Sequence, residues 1–116
     1  MSVQLKRVYE KPSADDGRRV LVDRAWPRGL SKEEPRVDEW LRELGPSTEL
    51  RKWFGHDPGR WDEFRTKYRA ELDAPEQRQR LKHLGDIAKK ETLTIVYGAK
   101  DREHNQAVVI AETLTS

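Results

Sequence analysis

The sequence predicts an α/β fold, a small and mainly parallel sheet flanked by helices, and three observations lead to it. The triplet Val20, Leu21, Val22 reads as a short core strand that stops in a polar loop containing Pro27 and Gly29. Thr92 to Tyr97 alternates β-branched and apolar residues and reads as a second core strand. Between and after them, apolar residues recur at the three- and four-residue spacing of helical faces.

Val3 to Tyr9 reads as the first strand, with Val3, Leu5 and Val8 inward, and residues 11 to 17, KPSADDG, carry turn chemistry. The link to the second strand is short for a parallel crossover, so an antiparallel hairpin and an abbreviated crossover both stay open. Beyond the loop, Val37, Trp40, Leu41 and Leu44 have the spacing of one helical face, which Gly45-Pro46 would end. Ser47 then caps a short helix with Leu50, Trp53 and Phe54 on one face and Gly55 at its close. Asp57-Pro58 supplies a cap and a first-turn proline for a longer helix whose inner face is Trp61, Phe64, Tyr68 and Leu72. Pro75 opens another, with Leu81, Leu84 and Ala88 inward. A last helix places Ala107, Val108, Ala111 and Leu114 on its buried side.

Composition bounds the class. A chain of 116 residues makes one domain, here residues 1–116. Charged residues (38%) outnumber hydrophobic ones (34%), a balance that would suggest disorder if the charge were one-sided. It is not: 23 basic residues nearly cancel 21 acidic ones, and four Trp, three Tyr and two Phe supply a core. No basic tail or arm marks a nucleic-acid binder, so that partner is disfavoured, and stretches such as Arg78, Arg80, Lys82, Lys89 and Lys90 read as solvated surface. With no cysteine, disulfides, thiolate metal sites and cysteine nucleophiles are excluded. Neither a signal-like apolar segment nor a run of membrane-spanning length occurs, and the expectation is a soluble, cytoplasmic protein with no membrane partner. Phosphate-loop and dinucleotide fingerprints are absent, which disfavours ATP hydrolysis and Rossmann-type redox chemistry and leaves the cofactor unknown.

Candidate functional residues cluster where strands end. Asp23, Arg24, Trp26 and Arg28 follow the second strand, and Lys100, Asp101, His104 and Asn105 lie between the last strand and the final helix. If those strands are parallel neighbours, both clusters open into one crevice, toward which the last helix directs its positive end. That favours a small anionic ligand, because a guanidinium offers a planar fork of donors matched to carboxylate or phosphate oxygens. Arg24 and Arg28 are the anion-binding pair in this reading, with Trp26, Lys100 and Asn105 as further ligand contacts. His104 or His56 would move a proton near neutral pH, and Asp23 would orient a guanidinium or a substrate hydroxyl. Plainer roles compete: Asp23 and Arg24 pairing with neighbours to fasten the loop, Trp26 plugging that loop onto the core, His56 ordering its turn, His104 bonding a helix end. Trp40, Trp53 and Trp61 are most simply core, and His83, off the Leu81 and Leu84 face, is most simply exposed. His56, Asp57 and His104 are suitable metal-ligand types in no recognised spacing, and no metal site is assigned.

The strings VLVDRAWPRGLSKE, PSTELRKWFGHDPGRW followed by F-x-x-x-Y, and TIVYGAKDREHNQAVV resemble the YeaO-like branch of domain-of-unknown-function family 488, over nearly the whole chain. The resemblance implies a small α/β domain and supplies no catalytic mechanism. Among the positions that match the branch are Asp23, Arg24, Trp26, Arg28, Ser47, Arg51, His56, Tyr68, Lys100, Asp101, His104 and Asn105. Broader relatives carry a Cys-His-Arg string where this chain has Glu103, His104 and Asn105, so only the central imidazole carries over. The best functional expectation is an enzyme acting on a small phosphorylated or nucleotide-like anion. Its alternatives are a non-catalytic nucleic-acid-binding or regulatory module and a small-anion sensor.

Overall fold

Val3–Arg7 (β1), Arg18–Leu21 (β2), Glu39–Trp40 (β3) and Leu93–Tyr97 (β4) form one sheet in the computed structural model, which describes residues 2–115. The strand order is β1-β4-β2-β3 and every neighbouring pair is parallel. Central β4 reads LTIVY and is buried along its whole length, as suits a strand covered on both faces.

Because β1 and β2 lie on either side of β4, the link between them is an abbreviated crossover rather than a hairpin. A 3-10 turn over Ala14–Asp16, capped by Ser13, stands where a crossover helix normally would. Asp16 is only 2% exposed and ties the turn to the sheet. Its carboxylate accepts from Lys6 Nζ at 3.0 Å and Arg19 Nη1 at 2.6 Å, while its carbonyl accepts from Thr94 Oγ1 at 2.6 Å. Burial would raise this carboxyl's pKa, yet the Ser13 N–H, Lys6 and Arg19 together hold it below the usual carboxylate range.

The period-2 alternation of the strands divides the apolar residues between two clusters. Val20, Leu93, Ile95 and Tyr97 point to the main core, where Thr48–Phe54 (α1), Trp61–Leu72 (α2), Pro75–Lys90 (α3) and Gln106–Thr115 (α4) pack. Leu21 and Val96 point the other way, onto Val8, Trp26, Leu30, Val37 and Trp40. Helices thus cover one face of the sheet, and the crossover and the loop of residues 22–38 cover the other.

Ser47 and Gly55 bound α1 as expected: the Ser47 hydroxyl accepts from the Leu50 N–H, and Gly55 ends the helix at a φ of 55°. Asp57 caps a 3-10 turn over Pro58–Arg60 that leads into α2, whose Phe64, Tyr68 and Leu72 are buried at four-residue intervals. Burying each such side chain contributes roughly 1.5–3 kcal/mol. In α3, Leu81, Leu84, Ile87 and Ala88 are buried. The buried face of α4 is rotated from the expected one: Ala107, Val109 and Ile110 are buried, whereas Val108, Ala111 and Leu114 are only partly so.

The helix expected over Val37 to Leu44 does not form. Its segment instead satisfies the free edge of β2, where the Asp38 N–H donates to the Arg19 carbonyl and the Leu41 N–H to that of Leu21. The helical spacing is met differently, with Val37 and Trp40 on the loop-covered face and Leu41 and Leu44 in the main core.

Candidate functional site

Three adjacent parallel strands open their carboxyl ends on one side, where ligands of such sheets bind. Tyr9 follows β1, Asp23 to Arg28 follow β2, and Gly98, Ala99 and His104 to Gln106 follow β4; all line one cavity of about 400 Å³. Arg51, Phe54 and His56 from the end of α1 and Phe64 of α2 complete the wall.

Asp23 joins the two strands. Its Oδ2 accepts from the Gly98 N–H at 2.8 Å, and its Oδ1 accepts from the side-chain amide of Gln106. Its carbonyl receives the Trp40 indole N–H at 2.7 Å. A Cβ on Gly98 would lie 2.7 Å from the carboxylate, so this approach requires glycine. Burial pushes the Asp23 carboxyl up to about 6, although the Gly98 and Gln106 hydrogen bonds and the nearby charges of Arg51 and His56 pull it down.

The two expected anion-binding arginines differ. Arg24 lines the cavity, but its Nε donates to the Pro46 carbonyl at 2.6 Å and its Nη2 to that of Gly45 at 3.0 Å. Arg24 passes close to Gly45, where a Cβ would meet Arg24 Cγ at 3.0 Å. The same segment is held by the Tyr68 hydroxyl on the Leu44 carbonyl (2.6 Å) and by Glu71, which accepts from Ser47 Oγ at 2.6 Å. Arg24 therefore helps seat the start of α1. Arg28 is exposed, and its carbonyl accepts from the Tyr9 hydroxyl at 3.0 Å. Among the described residues, the guanidiniums of Arg28 and Arg51 make no hydrogen bond or ion pair.

His104 reaches the cavity with its Nδ1 2.9 Å from Asp101 Oδ2 and its ring edge-on to Trp61. Asp101 also accepts from the N–H groups of Glu103 and His104, and these bonds, with the His104 ring, keep its carboxyl below the ordinary range. Asn105 is buried at the head of α4, donating to the Asp101 carbonyl at 2.9 Å and accepting from the Val108 N–H at 3.2 Å. His56 projects from a turn in which its own φ is 58°, a left-handed conformation uncommon for a residue with a side chain. Trp26 lines the cavity but is also a plug, its indole N–H on the Leu30 carbonyl at 3.0 Å and its ring against Trp40.

The structure thus brings Asp23, Arg24, Trp26, Arg28, His56, His104 and Asn105 together and leaves Lys100, which is exposed, outside the lining. Asp57 is spent on the Gly59 N–H, and exposed His83 bonds Glu39 at 2.9 Å. No three His, Cys, Asp or Glu gather as a metal centre among the described residues. Arg51, Gln106 and Tyr9 were missed from sequence. Arg51 was within reach, because a helix closed by Gly55 puts its last turn beside His56.

Residues 2–116 match the family model described as the inactive DUF488-N3 subclade. The chain is 48% identical over 116 residues to the uncharacterized protein YeaO of Escherichia coli (strain K12), covering 100% of this chain and 99% of that one. It is 39% identical over 112 residues to the uncharacterized protein Rv3073c of Mycobacterium tuberculosis (strain ATCC 25618 / H37Rv), covering 97% and 92%. The uncharacterized protein Mb3100c of Mycobacterium bovis (strain ATCC BAA-935 / AF2122/97) matches to the same extent, 39% over 112 residues with 97% and 92% covered. No solved structure matches. A family match over nearly every residue, joined to full-length identity with YeaO, places the chain in the YeaO-like branch of the DUF488 family, within its inactive DUF488-N3 subclade.

Proposed function

We propose that this protein binds a small anion at the carboxyl ends of its strands without turning it over, as a ligand-responsive module. The observation that carries this reading is the pair of uncommitted guanidiniums, Arg28 and Arg51, in a cavity that also holds His56 and His104. Two exposed, uncommitted cations in the lining of a cavity that also contains Asp23 suit an anion with polar substituents. Two points favour binding over turnover. The subclade is described as inactive, and among the described residues the cavity lining contains no Ser, Thr, Cys or Lys, which leaves Tyr9, Asp23 and the two histidines as its groups of nucleophilic type. A nucleic-acid surface is less favoured, because Arg65 and Arg69 pair with Glu112, Lys67 with Glu63 and Arg78 with Asp73, which interrupts any basic stripe on the helices.

Titration calorimetry with inorganic phosphate tests the reading. Arg28→Ala and Arg51→Ala should each weaken phosphate binding about tenfold or more, as for loss of a charge-assisted hydrogen bond. Melting temperature should move little, since neither guanidinium makes a hydrogen bond or ion pair with the protein. Unchanged affinity in both variants would defeat the proposal. An enzyme is the second reading, favoured by the Asp101–His104 hydrogen bond, which orients the ring as a base is commonly oriented. Release of product from phosphate esters, abolished by His104→Gln, would promote it over the first.

A further inference from the structure

We infer that the ligand of this cavity carries a hydroxyl as well as an anionic group, and that the hydroxyl donates to Asp23, a conclusion that rests on the small-anion reading above. An ionised carboxylate has about four acceptor positions. The protein fills one on each Asp23 oxygen, with the Gly98 N–H and the Gln106 amide, and both donors fix the group in place. Arg51 and His56 act on Asp23 through their charge and make no hydrogen bond to it. Each oxygen thus keeps an unused acceptor position in a group that faces the cavity, and an acceptor withdrawn from water without its partners is costly.

The surroundings select the donor. A ligand ammonium at Asp23 would stand among Arg24, Arg28 and Arg51 of the lining, where a further positive charge is repelled. A hydroxyl carries no such penalty. Phe54, Phe64 and Ala99 supply apolar wall for a carbon skeleton. The chemistry is that of a phosphorylated or carboxylated polyol.

Calorimetry on the full chain with matched pairs tests this. Glycerol phosphate and propyl phosphate have the same charge and chain length and differ only in hydroxyls; glycerate and propanoate repeat the comparison for a carboxylate and show which anion source is preferred. The hydroxylated member of the preferred pair should bind about tenfold more tightly to the wild-type protein, the worth of a hydrogen bond to a charged acceptor. In Asp23→Asn the difference should fall to about twofold or less, because the amide replaces one acceptor with a donor. Arg51→Ala should weaken both members and leave their ratio intact. Equal affinities for the wild type, with both ligands still weakened by Arg51→Ala, overturn the hydroxyl and leave the small-anion reading standing. A ratio that survives Asp23→Asn overturns the role of Asp23. Failure of all four compounds to bind overturns both readings, and the wild-type comparison holds whether or not a variant folds.

Discussion

Asp23→Asn should make the protein's stability less sensitive to pH, and the size of the effect follows from the position of the carboxylate. In the unfolded chain Asp23 ionises near 3.8, whereas burial at the end of β2 raises it to about 6 in the folded protein. Between these values the native state holds a proton that the unfolded state has released, so stability falls as pH rises. The penalty is absent below the unfolded value and complete above the folded one. A difference of about 2 pH units at about 1.36 kcal/mol each amounts to about 3 kcal/mol. Asparagine keeps the shape but presents amide hydrogens toward the Gly98 N–H or the Gln106 amide, at a cost of about 1–3 kcal/mol that does not vary with pH. The readout is therefore the pH dependence of the difference. Urea unfolding of both proteins from about pH 4 to about pH 7.5 should show Asp23→Asn gaining about 2.5 kcal/mol on the wild type across the series. Parallel stability profiles would refute the claim that Asp23 is held desolvated at a cost to the fold.

Arg24→Ala should lower stability by about 1–3 kcal/mol in denaturant unfolding while leaving phosphate affinity within about twofold, because its donors already serve Gly45 and Pro46. A large affinity loss at unchanged stability would return Arg24 to the anion-binding set. Asp16→Ala should cost about 3–5 kcal/mol by the same assay, since it strands Arg19, 3% exposed, without its carboxylate partner. A loss below about 1 kcal/mol would mean that water replaces Asp16 freely.

The elements that sequence reading located are those whose signals are local. Ser47 and Gly55 bracket α1, Asp57-Pro58 announces the turn before α2, and Phe64, Tyr68 and Leu72 keep helical register along one face. The region from Val37 to Leu44 could not be read this way, because its conformation is decided by the unpaired edge of β2, distant in sequence. The candidate site divides along the same line. Parallel neighbours ending in polar loops predict that Arg24, Arg28, His104 and Asn105 line one cavity, and all four are in its lining. That Arg24 turns to the carbonyls of Gly45 and Pro46, leaving Arg51 uncommitted, depends on how α1 is seated against Tyr68 and Glu71.

The sheet also carries an order of events. Its central strand is the last to be synthesised: Val3 and Arg18 both have their register partner at Leu93, and β1 and β2 never touch each other in the ladder. While the chain is being made, neither early strand has its β4 partner until residues 93–97 have left the ribosome, and the pairs that then form join Val3 and Arg18 to Leu93 across long loops. Such non-local pairing slows folding and makes it cooperative. A chain halted before β4 has helices but no axis around which to assemble them, and its unpaired strands are open to other chains. Quality control should therefore meet this protein as a nascent chain more often than as a folded one, and pulse proteolysis of ribosome-bound fragments should find protection only after residues 93–97 have cleared the exit tunnel.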